Sequence, residues 1–203
     1  MNKLFWLGAV LAGALTLGPV ARAQEGTQPF SIDLGATYST ERGKIATIDC
    51  GCLWKRGGSV DAAITLSNGV GVAVVLTGDR NGNFGSGLSL SEVSLMAGLR
   101  YTLQAHRWTD RFLGSRHRTS FFGEGLVGFA HGFDSTFPNS NSGLVSSANA
   151  TSVQLGGGMN IGLTKGFSAR AIEVDFVRTT LPNGGNNIQN NLHLSFGITY
   201  HIH

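Results

Sequence analysis

The feature that most constrains this chain is a hydrophobic alternation of period two. It returns eight times after residue 23 and is never replaced by an apolar run of 18 residues. Helical periodicity is weak throughout, and clusters of Gly, Asn, Ser and Asp punctuate the alternation. The pattern predicts strands at about 29–37, 59–67, 70–77, 88–103, 119–133, 150–163, 168–179 and 188–202. Long connections are expected at 39–58, 79–87, 134–149 and 180–187. Tight turns are expected at Asn68-Gly69, a strong hairpin signal, and at Lys165-Gly166. The connection at 104–118 is longer than this alternation of loops and turns asks for.

The two faces of these strands differ in kind. One carries Leu, Val, Ile and Phe, as in Val93, Leu95, Leu99 and Val153, Leu155, Ile161. The other carries Gly, Ser and Thr with single carboxylates. Alternation by itself does not say which face is inside: a soluble barrel buries the apolar face, and a membrane barrel exposes it. Three features favour the membrane. Several strands exceed ten residues, where a bilayer needs about 9–11 and a soluble strand averages about 5–6. The polar faces are poor in Lys and Glu, in a chain with only 13% charged residues. Aromatics stand near strand ends, at Phe30, Tyr38, Tyr101, Phe121, Phe133, Phe167 and Tyr200, where interfacial girdles form.

Ahead of the first strand lies an export pattern. Lys3 supplies a positive start, residues 4–17 are apolar, Gly18 and Pro19 break a helix, and Ala21-Arg22-Ala23 fits small-x-small cleavage. Residues 1–23 are therefore expected to be a signal peptide, and 24–203 one barrel domain. Removing Lys3 and Arg22 lowers the formal charge of +3 to about +1. The pI near 9.1 then gives no case for nucleic acid, and no nucleic-acid motif is present. The expected architecture is all-β: an eight-stranded antiparallel up-and-down transmembrane barrel of an exported, monomeric protein in contact with outer-membrane lipid.

Phe121-Phe122-Gly123-Glu124-Gly125-Leu126, Gln154-Leu155-Gly156-Gly157-Gly158, Ala171-Ile172-Glu173-Val174-Asp175-Phe176 and Asn191-Leu192-His193-Leu194-Ser195-Phe196-Gly197 carry a resemblance. Over about residues 29–203 the chain resembles the small OmpA/OmpX-type outer-membrane β-barrel proteins. These glycine-and-alternation patterns specify fold more than activity. The resemblance implies closing strands in the bilayer and long loops outside, free to meet an extracellular ligand or surface partner.

Several residues could carry chemistry. Asp33, Glu92, Glu124, Glu173 and Asp175 are carboxylates on the polar faces. Arg100 is the one cation placed mid-strand beside them, so these six are expected to form a polar network in the lumen. Cys50 and Cys52 fall in the first long loop. A local disulfide there competes with a redox switch, a metal site or a bridge to another chain. His193-x-Ser195 is similar to a pair found in outer-membrane lipid A deacylases, although lumen residues of this type more simply bond to one another. His201-x-His203 fits either a metal pair or a tail. The stretch 106–118, with four arginines and Trp108, fits either a membrane-surface segment or a solvated turn. No phosphate loop, nucleotide fingerprint or HExxH helix is present, and no cofactor, catalytic or metal site is expected. A structural or surface-interaction role is the leading expectation. A narrow pore and a lipid-modifying enzyme are the alternatives, and a soluble lipocalin-like binder is the rival fold.

Overall fold

The computed structural model describes residues 30–44, 52–81, 90–104, 119–138, 143–183 and 187–202. Its strands are β1 (Phe30–Lys44), β2 (Cys52–Leu66), β3 (Val70–Asn81), β4 (Leu90–Gln104), β5 (Thr119–Phe133), β6 (Phe137–Pro138), β7 (Leu144–Val145), β8 (Ala148–Gly162), β9 (Phe167–Thr179) and β10 (Gln189–Ile202). Eight of them close a barrel in the order β1-β10-β9-β8-β5-β4-β3-β2, every neighbour antiparallel. The short strands β6 and β7 form a separate hairpin within the β5–β8 connection. Closure leaves no edge strand among the eight, so the backbone groups of each find partners on both sides.

Exposure decides which face is inside. The apolar residues point outward: Leu99 is 65% exposed, Phe129 75% and Leu155 67%. The polar residues point inward and are buried, including Glu41, Lys55, Asp61, Arg100 and Arg170. This is the inverse of a soluble barrel, and it excludes the lipocalin-like alternative. Eight strands give an interior that side chains just fill. Part of that filling is apolar, a cluster of Ala63, Ala73, Val75, Met96 and Leu126.

Both expected tight turns are present. At the first, Gly69 takes φ of +86°, which a Cβ would strain, and its N–H donates to Leu66 O at 2.9 Å. Asn68 Oδ1 accepts from the Val70 amide at 3.0 Å. At the second, the amides of Leu163 and Thr164 both donate to Phe167 O. Tyr101, Phe121, Phe167, Tyr200 and Phe30 lie outward at this turn end, and the rings of Phe167 and Tyr200 stand 4.8 Å apart.

Two expectations about the strands are corrected. The loop placed at 39–58 is mostly ladder: β1 runs to Lys44 and β2 starts at Cys52, with Glu41 opposite Lys55 and Lys44 opposite Cys52. Outward positions there are Thr40, Arg42, Trp54 and Arg56, so the regular apolar alternation gives out, with Trp54 its one aromatic among the described side chains, while backbone pairing continues. The same reason carries β3 to Asn81, through the expected start of the second loop. The second correction is a bulge in β9. Ser195 pairs with Glu173 and Gly197 with Arg170, so Ala171 and Ile172 both stand opposite Phe196. The bulge inverts the parity of the strand before it and turns Arg170 inward.

Candidate functional site: the charged lumen

The centre of the lumen is an ion cluster built from four strands. Asp61 on β2 receives Arg100 Nη1 of β4 at 2.8 Å. It also receives two bonds from Arg170 of β9, Nη1 at 2.7 Å and Nη2 at 3.2 Å. Arg100 Nε donates to Glu124 Oε2 on β5 at 2.7 Å, and Arg170 Nη1 also reaches Glu173 Oε2 at 3.2 Å. Gln154 Nε2 donates to the other Glu124 oxygen at 3.1 Å, and Ser195 Oγ donates to Glu173 at 2.7 Å. The Phe122 ring lies 4.7 Å from the Arg100 guanidinium carbon and 4.9 Å from that of Arg170, a shared cation–π contact. Space for Asp61 depends on Gly35 across the β1–β2 pair, where a Cβ would collide with the carboxylate.

A second centre lies nearer the loop end. Lys55 is 1% exposed and bonded to Glu92 and to Glu41, the latter at 2.7 Å. Ser39 Oγ donates to Asp79 at 3.0 Å alongside. Between these groups a gap of about 10 Å3 is lined by Glu41, Asp79, Glu92 and His193 among others. That is room for about one water. Above it, Phe137 of β6 and Leu181 are buried with Ala150, with Leu90 and Ala148 packed against them.

No family model and no curated protein sequence matches the chain. Solved structures do. Ail, the attachment invasion locus protein of Yersinia pestis, in complex with the heparin analogue sucrose octasulfate, superposes with a TM-score of 0.54 at 19% identity. The match covers 85% of this chain and 99% of that one. Neisserial surface protein A superposes with a TM-score of 0.53 at 13% identity, covering 87% and 99%. This chain has the fold of a small OmpA/OmpX-type outer-membrane β-barrel.

Within this outer-membrane barrel fold, the sequence-expected lumen residues divide among three places. Arg100, Glu124 and Glu173 meet in the central cluster, whereas Glu92 binds Lys55 rather than Arg100. Asp175 accepts from His193 Nδ1 at 3.1 Å. Asp33 stands at the turn-end mouth, 2.6 Å from His201 Nδ1. Arg100 is not the lone lumen cation: Lys55 lay in the presumed loop, and Arg170 is brought in by the bulge. Glu41 and Asp79 were hidden for the first reason. Asp61 sat visibly on a polar face, and its Gly35 neighbour across β1 was the available signal.

His193 and Ser195 both face the lumen, yet each bonds a different acid: His193 pairs with Asp175, and Ser195 donates to Glu173. A nucleophile needs its proton taken by the base, and here the serine proton goes to a carboxylate. A closer serine–histidine–aspartate order exists at the mouth, where Ser168 Oγ lies 2.7 Å from His201 Nε2 and Asp33 Oδ1 lies 2.6 Å from Nδ1. Ser168 is 6% exposed in a regular strand paired on both sides, with Thr199 and with Gly162. Backbone amides held in ladders give no oxyanion site. The chain of bonds ties the start of β1 to β9 and to the end of β10.

Among the described residues, Glu124, Glu173 and Asp175 are the group able to offer a metal ligand atom each, all within 4.8 Å of one another. Glu124 and Glu173 already take guanidinium, amide and hydroxyl donors. The trio therefore belongs to the ion network. Cys50 and His203 lie outside the described residues, as does the basic stretch 106–118. Cys52 opens β2 opposite Lys44.

Proposed function

We propose that this protein is a monomeric, non-enzymatic component of the outer membrane, exported by a signal peptide over residues 1–23. Its lumen serves stability, and its loop end serves contact with an extracellular ligand or surface partner. The observation that carries this reading is the filled lumen. Lys55, Arg100 and Arg170 are each held by at least two carboxylates, and the gap beside the Lys55 centre is about 10 Å3. A solute path through such a cross-section would have to break buried ion pairs, each break leaving a charge unpaired at a cost of about 3–5 kcal/mol.

One observation favours a second reading, a cation-selective trickle. Among the described residues, eight inward carboxylates (Asp33, Glu41, Asp61, Asp79, Glu92, Glu124, Glu173, Asp175) face three permanent cations, Lys55, Arg100 and Arg170. The test has two parts. Membranes from cells expressing the full chain are fractionated and run on gels unheated and boiled. A heat-dependent shift in the outer-membrane fraction supports the barrel, and a soluble periplasmic chain refutes it. Purified protein is then added to planar bilayers. Absence of reproducible channels supports the closed lumen, and steady cation-selective steps replace it with the pore.

A further inference from the structure

The turn end of the lumen is less tightly filled than its centre. A cavity of about 480 Å3 lies there, walled by the turn-end residues of β1, β2, β4, β5 and β10 and by the Asn68-Gly69 turn. Small-molecule sites run to about 300–1,000 Å3, so the space is of ligand size. Its walls carry hydrogen-bonding side chains, among them Ser31, Thr65, Asn68, Gln104 and Ser120, together with Asp33 and His201. Leu66 and Leu103 add apolar surface.

Strand pairing sets the polar corner of this cavity. Ser31 is directly opposite Thr65, and Asp33 lies two residues along β1 on the same face. Across the β1–β2 pair the partner of Asp33 is Ala63, whose side chain holds no polar atom; across the β1–β10 pair it is His201. His201 Nδ1 lies 2.6 Å from Asp33 Oδ1, and its Nε2 lies 2.7 Å from Ser168 Oγ. A carboxylate accepts at about four sites, so the bond to His201 leaves Asp33 capacity for a further donor. The Thr65 hydroxyl is buried, at 7% exposure, with no hydrogen-bond partner among the described residues. No Lys or Arg is among the described residues that line the cavity. Behind it, the three permanent cations of the described lumen are each already bound to two acids, and the acids outnumber them. Walls of low dielectric focus the resulting negative field at the mouth.

We propose that this vestibule binds a small primary amine in its ammonium form. The proposal rests on the outer-membrane reading, which turns this end of the barrel to the periplasm. An ammonium group has three N–H donors and no acceptor. The corner offers the Asp33 carboxylate for its charge and the Ser31 and Thr65 hydroxyls for its remaining donors, a match in both sign and direction. The carbon chain of the amine meets Leu66 and Leu103. A carboxylate ligand would face Asp33 with like charge, and a polyol would gain no ion pair. Two sources carry this chemistry, a free amine in the periplasm and the ethanolamine headgroup of a membrane lipid, and the experiment separates them.

The experiment places the full chain in phosphatidylcholine nanodiscs and reads paramagnetic broadening of its backbone amide signals. Three nitroxides of one ring skeleton are added in turn, bearing an amino, a hydroxyl or a carboxyl group. The amino probe should broaden the signals of residues 31–33, 65–69 and 102–104 about fivefold more than the hydroxyl probe, the share of one partly exposed ion pair. The carboxyl probe should broaden them least. In D33N the amino probe should fall to the level of the hydroxyl probe. Equal broadening by the three probes in the natural chain overturns the proposal, as does a preference for the carboxyl probe or an amino preference seen at the loop end instead. An unchanged preference in D33N overturns it too. Should D33N fail to fold, competition on the natural chain decides: ethanolamine displaces the amino probe and ethylene glycol does not, and equal displacement by the two overturns the ammonium assignment. Nanodiscs of phosphatidylethanolamine then name the source. Displacement there without free amine supports the lipid headgroup, and a probe that stays bound supports a soluble amine. The unheated gel shift in phosphatidylcholine is scored separately, so failure to insert refutes the membrane barrel and not the vestibule.

Discussion

Replacing Asp61 with alanine tests whether the central cluster holds the barrel together. The carboxylate takes three donors from two guanidiniums that are 3% and 2% exposed, so its removal leaves Arg100 with Glu124 and Arg170 with Glu173 and Asn160. Three charge-assisted bonds at about 1.5–3 kcal/mol each would sum to roughly 4.5–9 kcal/mol, an upper bound because bonds in one network do not add. The surviving partners and slight water entry bring the loss to about 3–5 kcal/mol, the usual cost of breaking a buried pair. For a chain of this size that corresponds to roughly 6–20 °C in the unfolding midpoint. The assay is thermal and urea unfolding of the folded barrel in detergent, followed by loss of the fast-migrating unheated form. D61N, which keeps one acceptor oxygen in nearly the same shape, should fall between the natural chain and D61A. The fivefold change D61L/R100M/R170M/E124Q/E173Q should recover most of the loss, because the two remaining carboxylates that the arginines held are neutralised with them and no charge of the cluster is left buried without a partner. A D61A barrel within 1 kcal/mol of the natural chain, given the about 3–5 expected, would refute the assignment of stability to this cluster.

Other outcomes follow from the same geometry. K55M leaves Glu41 and Glu92 facing one another, so unfolding measurements should show a loss of about 3–5 kcal/mol, with most of it restored in K55M/E41Q/E92Q. G35V drives a side chain into the Asp61 carboxylate and should cost about 1–3 kcal/mol by overpacking, with the cost reduced in a D61A background, as a double-mutant cycle would show. S195A should leave the membrane lipid profile unchanged by mass spectrometry, since Ser195 bonds Glu173 and not His193. Ser168 should not label with a fluorophosphonate probe, while H201A should loosen the closure of β1 on β10, read as faster amide exchange at the start of β1.

The sequence alone determined the class of fold, because alternation is a local signal that each strand writes for itself. Residues 119–133 show this best: Phe121, Val127 and Phe129 outward and Phe122, Glu124 and Leu126 inward match β5 from end to end. The tight turns were legible for the same reason, since Gly69 and Lys165-Gly166 announce their geometry locally. Three things only the tertiary structure decided. Which face is inside depends on closure, since the same alternation serves a soluble or a membrane barrel. The strand ends at 40–44 and 52–58 lost the regular apolar alternation once outward positions such as Thr40, Arg42 and Arg56 became polar, and Glu41 and Lys55 vanished from view with them. The bulge at Ala171 and Ile172 is written in no composition or period; it arises from pairing with β10, and by inverting parity it carries Arg170 into the lumen. Ion partners belong to this third kind. Asp61 and Arg170 are 109 residues apart in the chain, and only the closed ladder, which puts β2 and β9 across one narrow lumen, makes them neighbours.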